Sequence, residues 1–244
     1  MTRQEIREMS RKKLGESTTS FWTDTEINNY INAGCKDVSW RTKCLRTNGT
    51  IQAVSCSSST VSLKSNEYTI SSSFPTCYAI NEVYFKQEDE TFERLIPSSR
   101  EELDALNPAW MSLVGYSTIS TAGVTTYNYG SSGGTPTHYY WSREEDVLGL
   151  YPPPDSTQDG ADIKCYYSYT HTDLSSDSAS PTLPVPLHLA VVDFVVASGL
   201  EDRGWGDRAN DMWGKYYAKI KDYTVEKKNE REDDEIISKN YRNI

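Results

Sequence analysis

The run containing Leu187, Ala190, Val191, Phe194 and Val195, entered through Pro186, constrains this chain more than any other feature. Its apolar residues cover most of a helix circumference, and a helix that is apolar all round is stable only when other helices enclose it. Proline suits the first turn of such a helix, because the N–H it lacks would have no intrahelical partner there. Asp193 falls inside the run, and a carboxylate buried at that point needs a partner. The run spans residues 187–196 and is interrupted by His188 and Asp193. A bilayer crossing takes about 20 apolar residues, so no membrane contact is expected.

The enclosing helices are written at the two chain ends. Thr2-x-x-Glu5 is a capping box, followed by Ile6, Met9 and Leu14 at helical spacing and stopped by Gly15. Thr23-x-x-Glu26 starts a second helix, with Trp22 and Ile27 placed for a hydrophobic staple. Its stripe of Ile27, Tyr30, Ile31, Cys35, Val38 and Leu45 carries the helix to about residue 46. A last helix is expected over residues 205–231, with Met212, Trp213, Tyr216, Ile220 and Tyr223 on one face. The bundle core is therefore expected to include Trp22, Ile27, Tyr30, Ile31, Val191, Phe194, Trp213, Tyr216 and Ile220. Residues 227–235 are nearly all charged, which fits either a solvated face or a segment that orders on a partner.

Between the ends the period changes from helical to two. Ile51 and Val54, Val61 and Leu63, residues 67–70 and residues 78–85 read as strands, and residues 90–96 can add another. Asn48-Gly49 before them reads as a turn. A short helix is expected from Pro97 to Leu106, stopped by Asn107-Pro108. Residues 117–134 are rich in Ser, Thr and Gly and are expected to be a mobile loop or a hairpin tip. Strands follow at 138–141, 147–151 and 162–169, with an acidic turn at 144–146 and a proline stop at 152–154. A polar, proline-bounded crossing then leads into the apolar helix. The expected fold is α+β: a helical bundle from residues 1–46 and 184–231, an inserted antiparallel β-rich domain, sandwich- or barrel-like, at 47–183, and an extension at 232–244.

A net charge of −10 argues against wrapping nucleic acid, which needs clustered Lys and Arg to neutralise phosphates. The five cysteines lack CxxC spacing and nearby histidines, so they read as reduced and mostly buried, with no metal and no cofactor. The first residues carry no apolar signal core, which points to synthesis in a cytoplasm. His138, His171 and His188 make neither a triad nor a ligand set, and no GxSxG, HExxH or phosphate-loop pattern occurs, so no catalytic residue is assigned. The alternative is a carbohydrate- or receptor-binding β module, raised by Tyr127, Tyr129, Tyr139, Tyr140, Trp141, Tyr166, Tyr167 and Tyr169. Alternating aromatics in strands more often pack a sheet.

One further pattern links these pieces. The helix start Trp22-Thr23-Asp24-Thr25-Glu26-Ile27, with Tyr30-Ile31-Asn32 inside it, is followed by Pro136-Thr137-His138-Tyr139-Tyr140 and then Leu148-Gly149-Leu150-Tyr151-Pro152-Pro153-Pro154. Ile163-Lys164-Cys165-Tyr166-Tyr167 and Leu183-Pro184-Val185-Pro186-Leu187-His188 complete the order. In that order the chain resembles the tail-adaptor proteins of tailed bacteriophages, the head-completion or tubular-gatekeeper connectors. The resemblance implies a non-enzymatic virion protein at the head-tail junction. It implies a ring of twelve subunits under the portal, with a tail, stopper or nozzle protein below and DNA passing through the lumen without sequence-specific binding. It also implies a C-terminal segment that docks on the portal, for which Ile236, Ile237, Tyr241 and Ile244 are the apolar anchors.

Overall fold

The computed structural model describes residues 1–16, 21–54, 67–106, 117–121, 124–128 and 134–241, with the backbone alone over the two short segments 117–121 and 124–128 and from residue 230 onward. The fold is α+β, and the chain divides into two compact units, one of residues 1–45 with 170–244 and one of residues 46–169.

The first unit holds helices α1 (Arg3–Leu14), α2 (Asp24–Thr42), α5 (His188–Asp202) and α6 (Gly206–Tyr241). Both capping boxes form: Thr2 and Thr23 accept from the N3 amides of Glu5 and Glu26, whose carboxylates accept from the cap amides in return. Gly15 ends α1 in the left-handed region at φ 79°. Helix α2 stops at Thr42, short of the expected residue 46, because Lys43 turns left-handed at φ 49°. The crossing at 170–184, expected at the end of the β-rich region, groups with the helices instead. Its carbonyls bind the open end of α1: the Arg3 and Gln4 amides donate to Ala179 and Asp177 oxygens at 2.8 and 3.1 Å.

The second unit contains β1 (Arg46–Gln52), β2 (Glu67–Thr69), α3 (Ile70–Ser73), β3 (Cys77–Lys86), β4 (Phe92–Arg94), β5 (Ile96–Pro97), α4 (Arg100–Leu106), β6 (Ser117–Thr121), β7 (Val124–Asn128), β8 (His138–Ser142), β9 (Val147–Tyr151) and β10 (Asp162–Tyr169). One sheet runs β1-β10-β3-β4 and the other β2-β9-β8-β5, while β6 and β7 pair only with each other among the described residues. The second sheet is mixed, since β5 joins β8 in parallel. The two sheets share one core, with Val83, Phe85, Ile163 and Cys165 from the first meeting Tyr68, Tyr139, Leu148 and Leu150 from the second. Residues 117–134 hold the β6–β7 ribbon. Val61 and Leu63 lie outside the described residues.

Asn48-Gly49 is not a turn. Both residues sit within β1, opposite Tyr166 and Cys165. Gly49 is needed for room rather than for a bend, because a Cβ there would collide with the Phe74 ring. Gly149 repeats the device. It lies between Glu67 on β2 and Tyr140 on β8, and the Tyr140 ring crosses over it to donate its hydroxyl to Glu67. A Gly149→Ala substitution should therefore destabilise the sheet unit by about 1–3 kcal/mol through overpacking against a ring held at both ends, read as a lower midpoint in urea unfolding.

Candidate functional site

Helix α5 is the axis of the helical unit. Ala190, Val191, Val192, Val195, Val196, Ala197 and Leu200 are all buried, and each large apolar side chain so enclosed contributes about 1.5–3 kcal/mol over an exposed one. Inside this apolar sleeve Asp193 is fully buried and both its oxygens are used. Lys13 Nζ on α1 donates to Oδ1 at 2.7 Å, and Lys219 on α6 donates to Oδ2. The two lysines keep 40% and 35% of their side chains exposed, so each stem bridges from water to the carboxylate. The partner that the sequence demanded for Asp193 is thus a pair of cations, and it ties three helices at one point.

An aromatic seam joins α5 to α6. Phe194, Trp213 and Tyr216 meet edge to face at centroid distances of 5.2, 5.6 and 5.7 Å, and Tyr217 stacks on Trp213. The Tyr216 hydroxyl donates to Asp37 on α2, which also accepts from Arg41 Nε at 2.7 Å. Burial, then the Asp37 carboxylate, pushes the Tyr216 phenol far above its ordinary range, so it stays a donor. Of the expected core residues, Trp22, Ile27, Ile31, Val191, Tyr216 and Ile220 are buried. Tyr30, Phe194 and Trp213 are only half-buried, at the rim. The polar tips of two of them explain the position: the Tyr30 hydroxyl donates to Asp202 and is pushed up to about 12 by burial and that carboxylate, and Trp213 Nε1 donates to Glu201 at 2.7 Å.

Helix α6 is longer than the bundle it belongs to. Its 36 residues extend about 54 Å, against about 22 Å for the 15 residues of α5. Among its described side chains Ala209, Tyr216 and Ile220 are buried, and residues 224–229 are all exposed. The helix runs ten residues past its expected end at 231, through the charged stretch to Tyr241. Glu/Asp and Lys/Arg alternate there at helical spacing, as in Lys228 with Glu232 and Glu235 with Lys239, and no Gly or Pro intervenes. Ile236, Ile237 and Tyr241 fall on this backbone beyond the described side chains, and Ile244 lies outside the described residues.

Four of the aromatic candidates are accounted for within the fold, while Tyr129 and the side chain of Tyr127 lie outside what the structure describes. Tyr139 and Tyr140 are buried, Tyr167 stacks on Phe74 at 4.5 Å, and Tyr166 meets Tyr84 edge to face. These contacts occupy aromatic surface that a sugar platform would need. Cys35 and Cys165 are buried thiols pushed up to about 12 by burial, and Cys44 and Cys77 are free and half-buried. Cys56 lies outside the described residues. Among the described residues no cluster of His, Cys, Asp and Glu is placed to hold a metal, and no helix is long and apolar enough to cross a membrane.

A comparison with protein families matches the SU10 adaptor protein model over residues 1–236, through both units and most of α6. The chain belongs to the SU10 adaptor protein family. A comparison with curated proteins finds no match. Membership makes the chain a structural phage adaptor, a virion component from a family that is not one of enzymes. Adaptors of the SU10 family interact with other phage proteins, and in this member the helical unit combines α5, with its lysine-bridged carboxylate, and the 36-residue α6.

The site residues that sequence reasoning missed are Lys13 and Lys219. An aspartate in an all-apolar helix announces a cation, but choosing which lysine requires the crossing angles of α1 and α6. Replacing both, Lys13→Met with Lys219→Met, should cost about 3–5 kcal/mol because the carboxylate then stays buried without a partner. Adding Asp193→Asn to the double variant should recover part of that loss in chemical unfolding; if it recovers none, the bridge is not what α5 depends on.

Proposed function

We propose that this SU10-family adaptor forms a twelve-subunit ring beneath the portal, joins the capsid vertex to the tail or nozzle protein below, and lets DNA through its lumen. The observation that carries the reading is the length of α6, seated by Tyr216 and Ile220, exposed from residue 224 to 229 and helical on to Tyr241. Its end carries Ile236, Ile237 and Tyr241, with Ile244 just beyond, as apolar anchors for a groove in the portal. Because the backbone is already helical to Tyr241, docking would cost less ordering entropy than folding a loose tail.

The net charge of −10 supports the channel role. An acidic lumen gains nothing from counterion release, so DNA slides past without being held. A ring of identical subunits closes through a heterologous contact, with a different patch of each copy on either side.

A chain ending at Val225 should keep its bundle, since the buried positions among the described side chains of α6 all precede that point, and should lose capture by the portal in a pull-down. Undiminished capture would place the docking surface elsewhere. Negative-stain images of the full chain with the portal should show a closed ring at the vertex.

A further inference from the structure

The crossing at 170–184 is a strap over the helical unit, held at two places by different chemistry. Midway along it Asp177 accepts from Arg3 and Arg7, with Arg7 Nη2 at 2.8 Å and Arg3 Nη2 at 2.7 Å, while Arg3 Nη1 donates to the Leu174 carbonyl at 2.7 Å. Toward its C-terminal end two histidines, His171 from its start and His188 from α5, grip adjacent residues. The Thr182 amide donates to His171 Nε2 at 3.1 Å, and His188 Nε2 donates to the Leu183 carbonyl at 2.9 Å. Both imidazoles are almost fully buried, at 3% and 4% exposure.

These bonds dictate protonation. A backbone N–H can only donate, so His171 Nε2 must be a lone pair and the ring's single proton must sit on the buried Nδ1. His188 is the opposite tautomer, with its proton on Nε2. We propose that His171 is an acid-opened clasp: a proton added at Nε2 faces the Thr182 N–H donor to donor, breaks that bond and loosens the strap at Thr182, while His188 keeps Leu183 and the arginines keep Asp177.

The surroundings favour the neutral ring. Burial is the largest influence and lowers the His171 pKa below its ordinary 6.5. The charged groups facing it are Asp173 on the strap and Lys36 on α2, which pair with each other at 2.8 Å and so largely cancel, and His188 on α5. His188 is itself lowered by burial, and the amino group of Met1 lies 3.0 Å from its Nδ1. An imidazole with a depressed folded pKa binds fewer protons folded than unfolded. Its contribution is complete above 6.5 and is lost as pH falls through the lower folded value. Asp177 answers to a different window, since Arg7 and Arg3 hold its carboxyl at about 2.

Imidazole nitrogen NMR and amide hydrogen exchange on the full chain test the clasp. His171 should be the Nδ1–H tautomer at neutral pH, and the protection factor of Thr182 should fall about tenfold as the ring titrates. The Arg3 and Gln4 amides, bonded to the middle of the strap at Ala179 and Asp177, should keep theirs through the same range. His171→Gln supplies an oxygen acceptor that does not titrate and should make Thr182 protection independent of pH. An Nε2–H tautomer, or Thr182 protection that is unchanged while His171 titrates, overturns the proposal, and both readings come from the unmodified chain even if the variant fails to fold.

Discussion

One carboxylate governs the helical unit. Burial of apolar surface drives α1, α2 and α6 onto α5, but that force has no direction and would tolerate sliding of one smooth helix along another. Asp193 removes the freedom. With Lys13 on one oxygen and Lys219 on the other, the height of α1 and α6 along α5 is set to within the length of a lysine side chain. The expense of burying the charge is met because both partners keep their stems partly in water.

The register so established has a consequence for reach. Fixing Lys219 against Asp193 decides which part of α6 is seated, with Tyr216 and Ile220 buried and residues 224–229 exposed. A long helix rich in charge needs no packing to persist, provided that oppositely charged residues recur one turn apart and no Gly or Pro interrupts them. In an adaptor of the SU10 family this joins a well-packed base to a helical arm without a flexible joint among the described residues.

The sheet unit is organised by close approach. Gly49 and Gly149 both sit in mid-strand, each where an aromatic ring covers the backbone. Tyr140 spans from β8 across Gly149 to Glu67 on β2, and Arg100 lies over its ring at 4.9 Å. Tyr139, Tyr140, Tyr166 and Tyr167, which could have served as a binding platform, are instead packed within the sheets.

Much of this was legible from local chemistry. Capping boxes at Thr2 and Thr23, the glycine stop at Gly15, the apolar circumference of α5 and the strand-forming runs of β3, β8, β9 and β10 are signals carried by short stretches of chain. What the tertiary structure alone decided involves partners far apart in sequence: Lys13 and Lys219 for Asp193, Phe74 for Gly49, the Thr182 amide for His171, and a parallel rather than antiparallel place for β5. Asn48-Gly49 shows the reason most plainly. The dipeptide has a strong local preference for a turn, yet pairing along the whole of β1 and a ring from another segment outweigh it, because a local preference is worth less than a ladder of hydrogen bonds with a packed core behind it.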